Sequence, residues 1–467
     1  MKKIILITIL IALSVSNSYS QDLAGVWHGT AKTPDNKEVL FVFLFEKDNG
    51  AFTTTMAVPT FDVSDIKLEE TSFNDQQLVI DDPAKKVRYE GAWNEETKEI
   101  TGKYQEGSVT LSLSLIKGNP KFAGLVRPQE PKKPYPYFEE EVVFENAKDN
   151  IHLAGTFTKP NGEGKFPVVV LISGSGRHDR DGSIPTHKPF LVLSDYLTRQ
   201  GIAVLRFDDR GFGKSGGDFS KATTADFAQD VLSAVQYLKS RQDIAPDHIG
   251  LIGHSEGGII APLAANQSAD ISFIVTLAAT GIPGSEVTVL QSKSLRSFPV
   301  PDEELFEENV RKSISIATSN AELSEKRRAL KAHNEQYLVP ILKSSGAPDE
   351  NISKFIQRET ENALSPWSQY FLKYDPANEF RKLNIPILSL NGSKDIQVDA
   401  KVNQTAIRNA LQEGNNKNFK VVTLENLNHL FQECETGDMA EYENISQTIS
   451  PIALKAISEW IIENINS

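Results

Sequence analysis

His248-Ile249-Gly250-Leu251-Ile252-Gly253-His254-Ser255-Glu256-Gly257-Gly258-Ile259-Ile260-Ala261-Pro262-Leu263-Ala264-Ala265 reads as a buried strand, a tight turn and an apolar helix. The turn is a G-x-S-x-G pentapeptide, Gly253 to Gly257. A reversal that sharp forces the central serine into strained backbone geometry, and glycines two residues to either side leave room for it. The strain would hold the Ser255 hydroxyl above the sheet edge at a helix N-terminus, where backbone N–H groups stabilise an oxyanion. A chance glycine-rich turn is the competing reading; strand and helix in their places favour a nucleophile elbow.

A nucleophilic serine needs a base, and the base an orienting acid. On an elbow of this type they follow in the order Ser, Asp or Glu, His. Of eight histidines, five precede the elbow and His254 lies inside it, leaving His333 and His429. His333 sits in the charged helical run Lys326 to His333 and reads as a solvated surface residue. His429 follows the apolar strand 419–424 in a short loop near the end of the chain, where an imidazole can swing over the serine. For the acid, the strand Ile385 to Leu390 runs into Asn391-Gly392-Ser393-Lys394-Asp395, which delivers Asp395 at a strand's C-terminal end. Asp399 reads as a helix cap or first-turn acid. The roles are then Ser255 as nucleophile, His429 as general base and acid, and Asp395 as its orienting partner.

A second oxyanion donor is expected on the loop after an early strand. Val168 to Ile172 is wholly apolar and leads into Ser173-Gly174-Ser175-Gly176. The expected donors are the backbone N–H of Ser175 (Gly176 if the loop is shifted by one) and that of Glu256. A phosphate-cradling loop would need a G-K-[ST] ending, which is missing. Asp209-Arg210-Gly211-Phe212-Gly213-Lys214-Ser215 follows another apolar strand and reads as a structural rim.

The ordered set Ser255, Asp395 and His429 on alternating strands and helices resembles the α/β-hydrolase superfamily. Leu171 to Gly176, Asp179-Arg180-Asp181-Gly182, the Gly-His-Ser-Glu-Gly-Gly elbow and Asn428-His429-Leu430-Phe431-Gln432 resemble, more narrowly, secreted bacterial esterases of the EstD-like group, which carry an extra N-terminal β-domain. The match runs from about residue 138 to the end, with a looser one at Ala24 to Gly29 and Ile100 to Gly107. His178 departs from it, in a loop that more usually carries proline or glutamine nearby. The resemblance implies hydrolysis of small carboxylic esters with short acyl chains, and a helical cap over the active site. A proline-type serine aminopeptidase and a carbohydrate (acetyl or aryl) esterase are the alternatives on the same scaffold.

Residues 21–118 alternate with a two-residue period between turn signals such as Asp48-Asn49-Gly50 and Asn94 to Thr97, predicting a small antiparallel barrel or sandwich with loosely lipocalin-like patterning. It reads as an accessory domain, with a ligand-binding barrel as the alternative. Residues 119–137, ending in Lys132-Lys133-Pro134-Tyr135-Pro136-Tyr137, read as a linker, and 138–467 as the catalytic domain. From about 283 to 374 the pattern turns helical and charged, the expected cap. Glu303, Glu304, Glu307 and Glu308 read as its solvated face; Trp367 and Phe371 are candidate pocket residues together with Gly174, Gly176 and His254.

Met1-Lys2-Lys3, an apolar block from Ile4 to Val15 and Ser18-Tyr19-Ser20 read as a signal peptide over residues 1–20, cleaved after Ser20, so export to the periplasm or medium is expected. The block is too short for a membrane span. The formal net charge of −13 disfavours nucleic acid and anionic membranes as partners. Cys434 is the single cysteine, so no intramolecular disulfide is possible. No H-E-x-x-H or paired cysteines are present, and no metal or cofactor is expected.

Overall fold

The apolar run of Phe166–Ile172 sends Val168, Val170 and Ile172 into one hydrophobic core and Val169 and Leu171 into another. Successive side chains of a strand point to opposite faces, so a strand apolar at every position must be covered on both sides, as in parallel sheets. In the computed structural model, residues 23–465 are described except 34–37, 49–50, 59–62, 108, 119–126, 185–186, 297 and 348. The signal-peptide reading therefore lies outside the described residues. The chain divides into two compact units, residues 1–125 and 126–467.

The first unit is one antiparallel sheet of nine strands: β1 (Gly25–Lys32), β2 (Glu38–Asp48), β3 (Ala51–Val58), β4 (Val63–Leu68), β5 (Glu70–Asn74), β6 (Gln77–Asp82), β7 (Val87–Asn94), β8 (Glu99–Glu106) and β9 (Val109–Lys117). Their order, β4-β3-β2-β1-β9-β8-β7-β6-β5, brings the two end strands round toward each other. The Thr54 and Thr71 hydroxyls meet at 2.6 Å across the seam. The alternative of barrel or sandwich is thus resolved as a nearly closed barrel. Its interior is filled by Trp27, Phe43, Phe45, Tyr89 and Tyr104, with Trp27 and Trp93 packed edge to face at 5.9 Å.

The second unit opens with the hairpin β10 (Phe138–Asn146) and β11 (Ile151–Lys159), with Asn150 at φ +53 in its turn. Then come β12 (Phe166–Ile172), α1 (Pro189–Arg199), β13 (Ala203–Phe207), α2 (Thr224–Lys239), β14 (Ile244–His254), α3 (Gly257–Ala265) and β15 (Phe273–Leu277). Between β15 and β16 (Ile387–Gly392) the chain is helical: α4 (Gly284–Ser294), α5 (Glu303–Thr318), α6 (Leu323–Ser344), α7 (Asp349–Ala363), α8 (Pro366–Phe371) and α9 (Ala377–Phe380). It ends with α10 (Ala400–Glu413), β17 (Phe419–Leu424) and α11 (Pro451–Ile465). The sheet order is β10-β11-β13-β12-β14-β15-β16-β17, parallel from β13 through β17. This is the α/β-hydrolase fold. Among the described residues, no helix is long and apolar enough to cross a membrane.

The reversal in this order fixes where a site can form. From β12 the chain goes out to β13, then returns past β12 to β14. Phe190 and Leu193 of α1 pack with α11 on one face, whereas Ile260 and Ala264 of α3 pack with α2 on the other. The loops leaving β12 and β14 therefore part in opposite directions, opening a crevice at the C-terminal edge.

The stretch before β10 is held to this unit. Gln129 Nε2 donates to the Ile449 carbonyl at 2.6 Å, the Arg127 guanidinium meets the Ile445 carbonyl, and Tyr137 donates to Asp195 at 2.9 Å.

Candidate active site

Ser255 has φ +54 between β14 and α3. A methyl group added at Gly253 would lie 1.9 Å from the Gly257 carbonyl oxygen, and one at Gly257 would lie 2.2 Å from that of Ile172. Neither position admits a side chain, which is the physical content of the pentapeptide. The strain at Ser255 is held by its N–H donating to Leu277 at 2.8 Å and by its carbonyl accepting from Gly258 at 2.9 Å.

Asp395 follows β16 and is buried. One carboxylate oxygen accepts from the backbone N–H of Gln397 and Val398, both at 2.8 Å; the other meets His429 Nδ1 at 2.7 Å. Gly392 allows this approach, since a Cβ there would sit 2.1 Å from the Leu427 carbonyl oxygen in the histidine loop. That loop is tied by Asn428, whose side-chain oxygen accepts from the N–H of Leu430 and Gln432 at 3.0 Å. Asp399 caps α10 through Val402 N–H. His333, read as a solvated surface residue, is instead half-buried, its Nε2 lying 3.1 Å from the Asn309 carbonyl oxygen of the preceding helix.

The elbow and the His429 loop meet through His254. Its Nε2 donates to the His429 carbonyl at 2.9 Å, and the two rings lie 4.8 Å apart. Burial pushes the His254 imidazole down to about 3, so it stays neutral beside His429. Among the described residues the Ser255 hydroxyl makes no hydrogen bond with His429, a contact that in free enzymes often tightens only with substrate.

The loop after β12 lies against the elbow: a Cβ at Gly174 would be 3.1 Å from that of Ser255. Asp209 braces this loop, accepting from Ser173 Oγ at 2.6 Å and His178 N–H at 2.7 Å. His178 Nε2 in turn lies 3.1 Å from the Ser175 carbonyl oxygen. Burial pushes the Asp209 carboxyl up to about 7. Glu256, considered from sequence only for its backbone N–H, also has a buried carboxylate, which accepts from Thr224 Oγ1 and Trp367 Nε1, both at 2.7 Å. Burial raises its pKa, while hydrogen bonds from Trp367, Thr224 and Ser175 oppose the rise. These bracing roles of Asp209, His254 and Glu256 were missed in the sequence. The one available signal was an acidic residue placed in the apolar surroundings of Gly253 to Ala265.

The candidate pocket residues fall into two cavities. Gly174 and His254 line a small one of about 40 Å³, with Phe190, Leu277 and Leu430. Trp367 and Phe371, stacked at 5.0 Å, line a large one of about 580 Å³ among α4 to α8. Gly176 lines neither; it has φ +106 and turns the loop. Among the described residues no group of three or more His, Cys, Asp or Glu is placed to hold a metal ion.

Residues 181–339 match the family described as serine aminopeptidase, S33. The chain is 27% identical to Esterase EstD of Thermotoga maritima over 375 residues, which is 79% of this chain and 80% of that protein. It is 30% identical to the protein YfhR of Escherichia coli O157:H7 over 185 residues, 36% of this chain and 62% of the other. An esterase structure from Pyrococcus furiosus aligns over 71% of this chain and 91% of that one, with a TM-score of 0.43 and 16% identity. The chain is homologous to Esterase EstD and carries an α/β-hydrolase fold.

Proposed function

We propose that this protein hydrolyses carboxylic esters with short acyl chains through an acyl-enzyme on Ser255. The observation that carries the reading is the Asp395–His429 pair at 2.7 Å, joined through His254 to the elbow whose serine has positive φ. Asp395 fixes the imidazole with Nδ1 protonated, leaving Nε2 free to take the Ser255 proton as Oγ attacks the ester carbonyl. The backbone N–H groups of Ser175 and Glu256 receive the oxyanion. His429 then returns the proton to the departing alcohol, and water releases the acid by the same steps reversed. The kinship with Esterase EstD supports ester substrates. In the test, 4-nitrophenyl acetate is turned over by the wild type, and Ser255→Ala lowers kcat roughly 10⁴-fold or more. Near-normal turnover by that variant would refute the reading.

The match to the serine aminopeptidase family favours peptide hydrolysis as a second reading. An amine-holding acidic cluster in the cap would be its mark. Glu303 instead pairs with Arg296, and Glu307 with Lys293 and Arg311. Comparing aminoacyl 4-nitroanilides and sugar acetates with simple aryl acetates distinguishes the remaining alternatives.

A further inference from the structure

The small cavity touches the elbow through His254, and the large one is tied to it through Trp367. The small cavity is bounded by the loop after β12, by α1 and by α11, through Gly174, Phe190 and Ala453. The large one lies among the cap helices and reaches the catalytic loops at two points. Trp367 lines it while its indole N–H holds Glu256, the residue after the nucleophile. Gln291 also lines it while its amide donates at 3.1 Å to the carbonyl of Gln397, two residues past Asp395. On the esterase reading, the two halves of an ester attacked at Ser255 are offered cavities of very different size on either hand of the catalytic loops.

A volume of 40 Å³ takes about three water-sized groups, at roughly 10–15 Å³ each. That suits an acetyl or propionyl chain. A volume of 580 Å³ falls within the range of roughly 300–1,000 Å³ typical of sites for whole organic ligands. Its wall carries the rings of Phe298, Phe306, Phe355 and Trp367 among aliphatic side chains, with Arg296, Arg358 and Glu359 as its charged groups. Rings of this kind favour an aromatic guest in offset or edge-on contact. The half that stays on Ser255 after the first step belongs in the cavity whose wall is nearest that side chain, the one lined by Gly174.

We infer that the substrates are short-chain acyl esters of large, aromatic alcohols, with the acyl group beside Gly174 and His254 and the alcohol in the cap cavity. This rests on the esterase reading above and adds which half of the ester each cavity receives.

The test compares acetates whose alcohols have similar acidity but different bulk, propyl acetate and 3-(2-naphthyl)propyl acetate. The wild type is expected to show a kcat/KM at least tenfold higher for the naphthyl ester. Ser292→Phe and Ala317→Phe, which each place a ring in the cap cavity, should bring the ratio toward one. Lengthening the acyl group of the naphthyl ester to decanoyl should lower kcat/KM at least tenfold. Hydrolysis of both acetates with a wild-type ratio near one, or a ratio that neither folded variant changes, overturns the inference and leaves the esterase reading standing. Failure to hydrolyse any of these esters, or 4-nitrophenyl acetate, removes the esterase reading itself.

Discussion

In the barrel, buried polar atoms answer one another. Tyr89 Oη lies 2.9 Å from the Ile100 carbonyl oxygen, Thr54 meets Thr71, and the Asp82 carboxylate has the Lys85 ammonium at 2.7 Å. At the C-terminal edge of the eight-stranded sheet, the partners of Glu256 and Asp209 are neutral hydroxyl, indole and amide donors, with no cation among the described residues. A buried carboxylate without a counter-ion is costly, and an element built only to be stable does not need one. The contrast separates a barrel acid closed by a cation from two acids at the sheet edge that, unlike the ion-paired Asp208 and Asp230 near them, hold loops through neutral donors.

The contrast is tested most severely by Asp395→Asn, which preserves shape but removes the charge that fixes the His429 tautomer. A fall in kcat of about 10⁴-fold is expected in steady-state assays on 4-nitrophenyl acetate. A fall of less than tenfold would mean that Asp395 is as structural as Asp82.

His254→Phe keeps a ring against His429 and loses the hydrogen bond to its carbonyl. A loss of roughly fivefold in kcat with KM nearly unchanged is expected, given about 1 kcal/mol for such a bond. His254→Gln should recover part of it. An unchanged kcat in the Phe variant would reduce His254 to packing.

Asp209 makes a prediction about stability. Its carboxyl sits at about 7 in the fold against an ordinary value of 3.8, so folding favours the protonated form. The stability contributed by that proton is complete below about pH 4 and is lost as the pH rises to 7. The difference in Tm between wild type and Asp209→Asn should therefore shift against the wild type as melts are taken from pH 4 to pH 7. A difference independent of pH would show that the carboxylate is not desolvated.

The smallest expected effect on catalysis comes from the barrel. Trp27→Ala empties its centre and should destabilise that unit by about 3–5 kcal/mol, seen as an earlier melting step. We expect kcat/KM on 4-nitrophenyl acetate to stay within twofold. A larger loss would give residues 21–118 a part in catalysis that the accessory reading denies them.

The elbow was legible because its demand is local. Positive φ at Ser255 and the absence of room at Gly253 and Gly257 follow from a turn that five residues specify. The apolar run Val168 to Ile172 marks a strand covered on both faces for the same reason. What stayed hidden depends on elements distant in sequence. Trp367 reaches Glu256 across 111 residues, and Asp209 reaches Ser173 across 36. No pattern near either carboxylate names its donors. The helical spacing of the cap acids reads as a solvated face, and Glu303, Glu304 and Glu308 are exposed, with Glu303 and Glu307 paired to surface cations on and beside α4. His333 differs from its surface reading, since α5 covers a face that its charged neighbours alone would leave open.

The central claim is that Ser255 is the group acylated during turnover. Incubating the whole protein with a fluorophosphonate and mapping the adduct by peptide mass spectrometry tests it directly. The account predicts one adduct, on Ser255, formed by the wild type and slowed by orders of magnitude in His429→Ala. An adduct on another residue, or an unlabelled Ser255 in protein that still hydrolyses 4-nitrophenyl acetate, would contradict it.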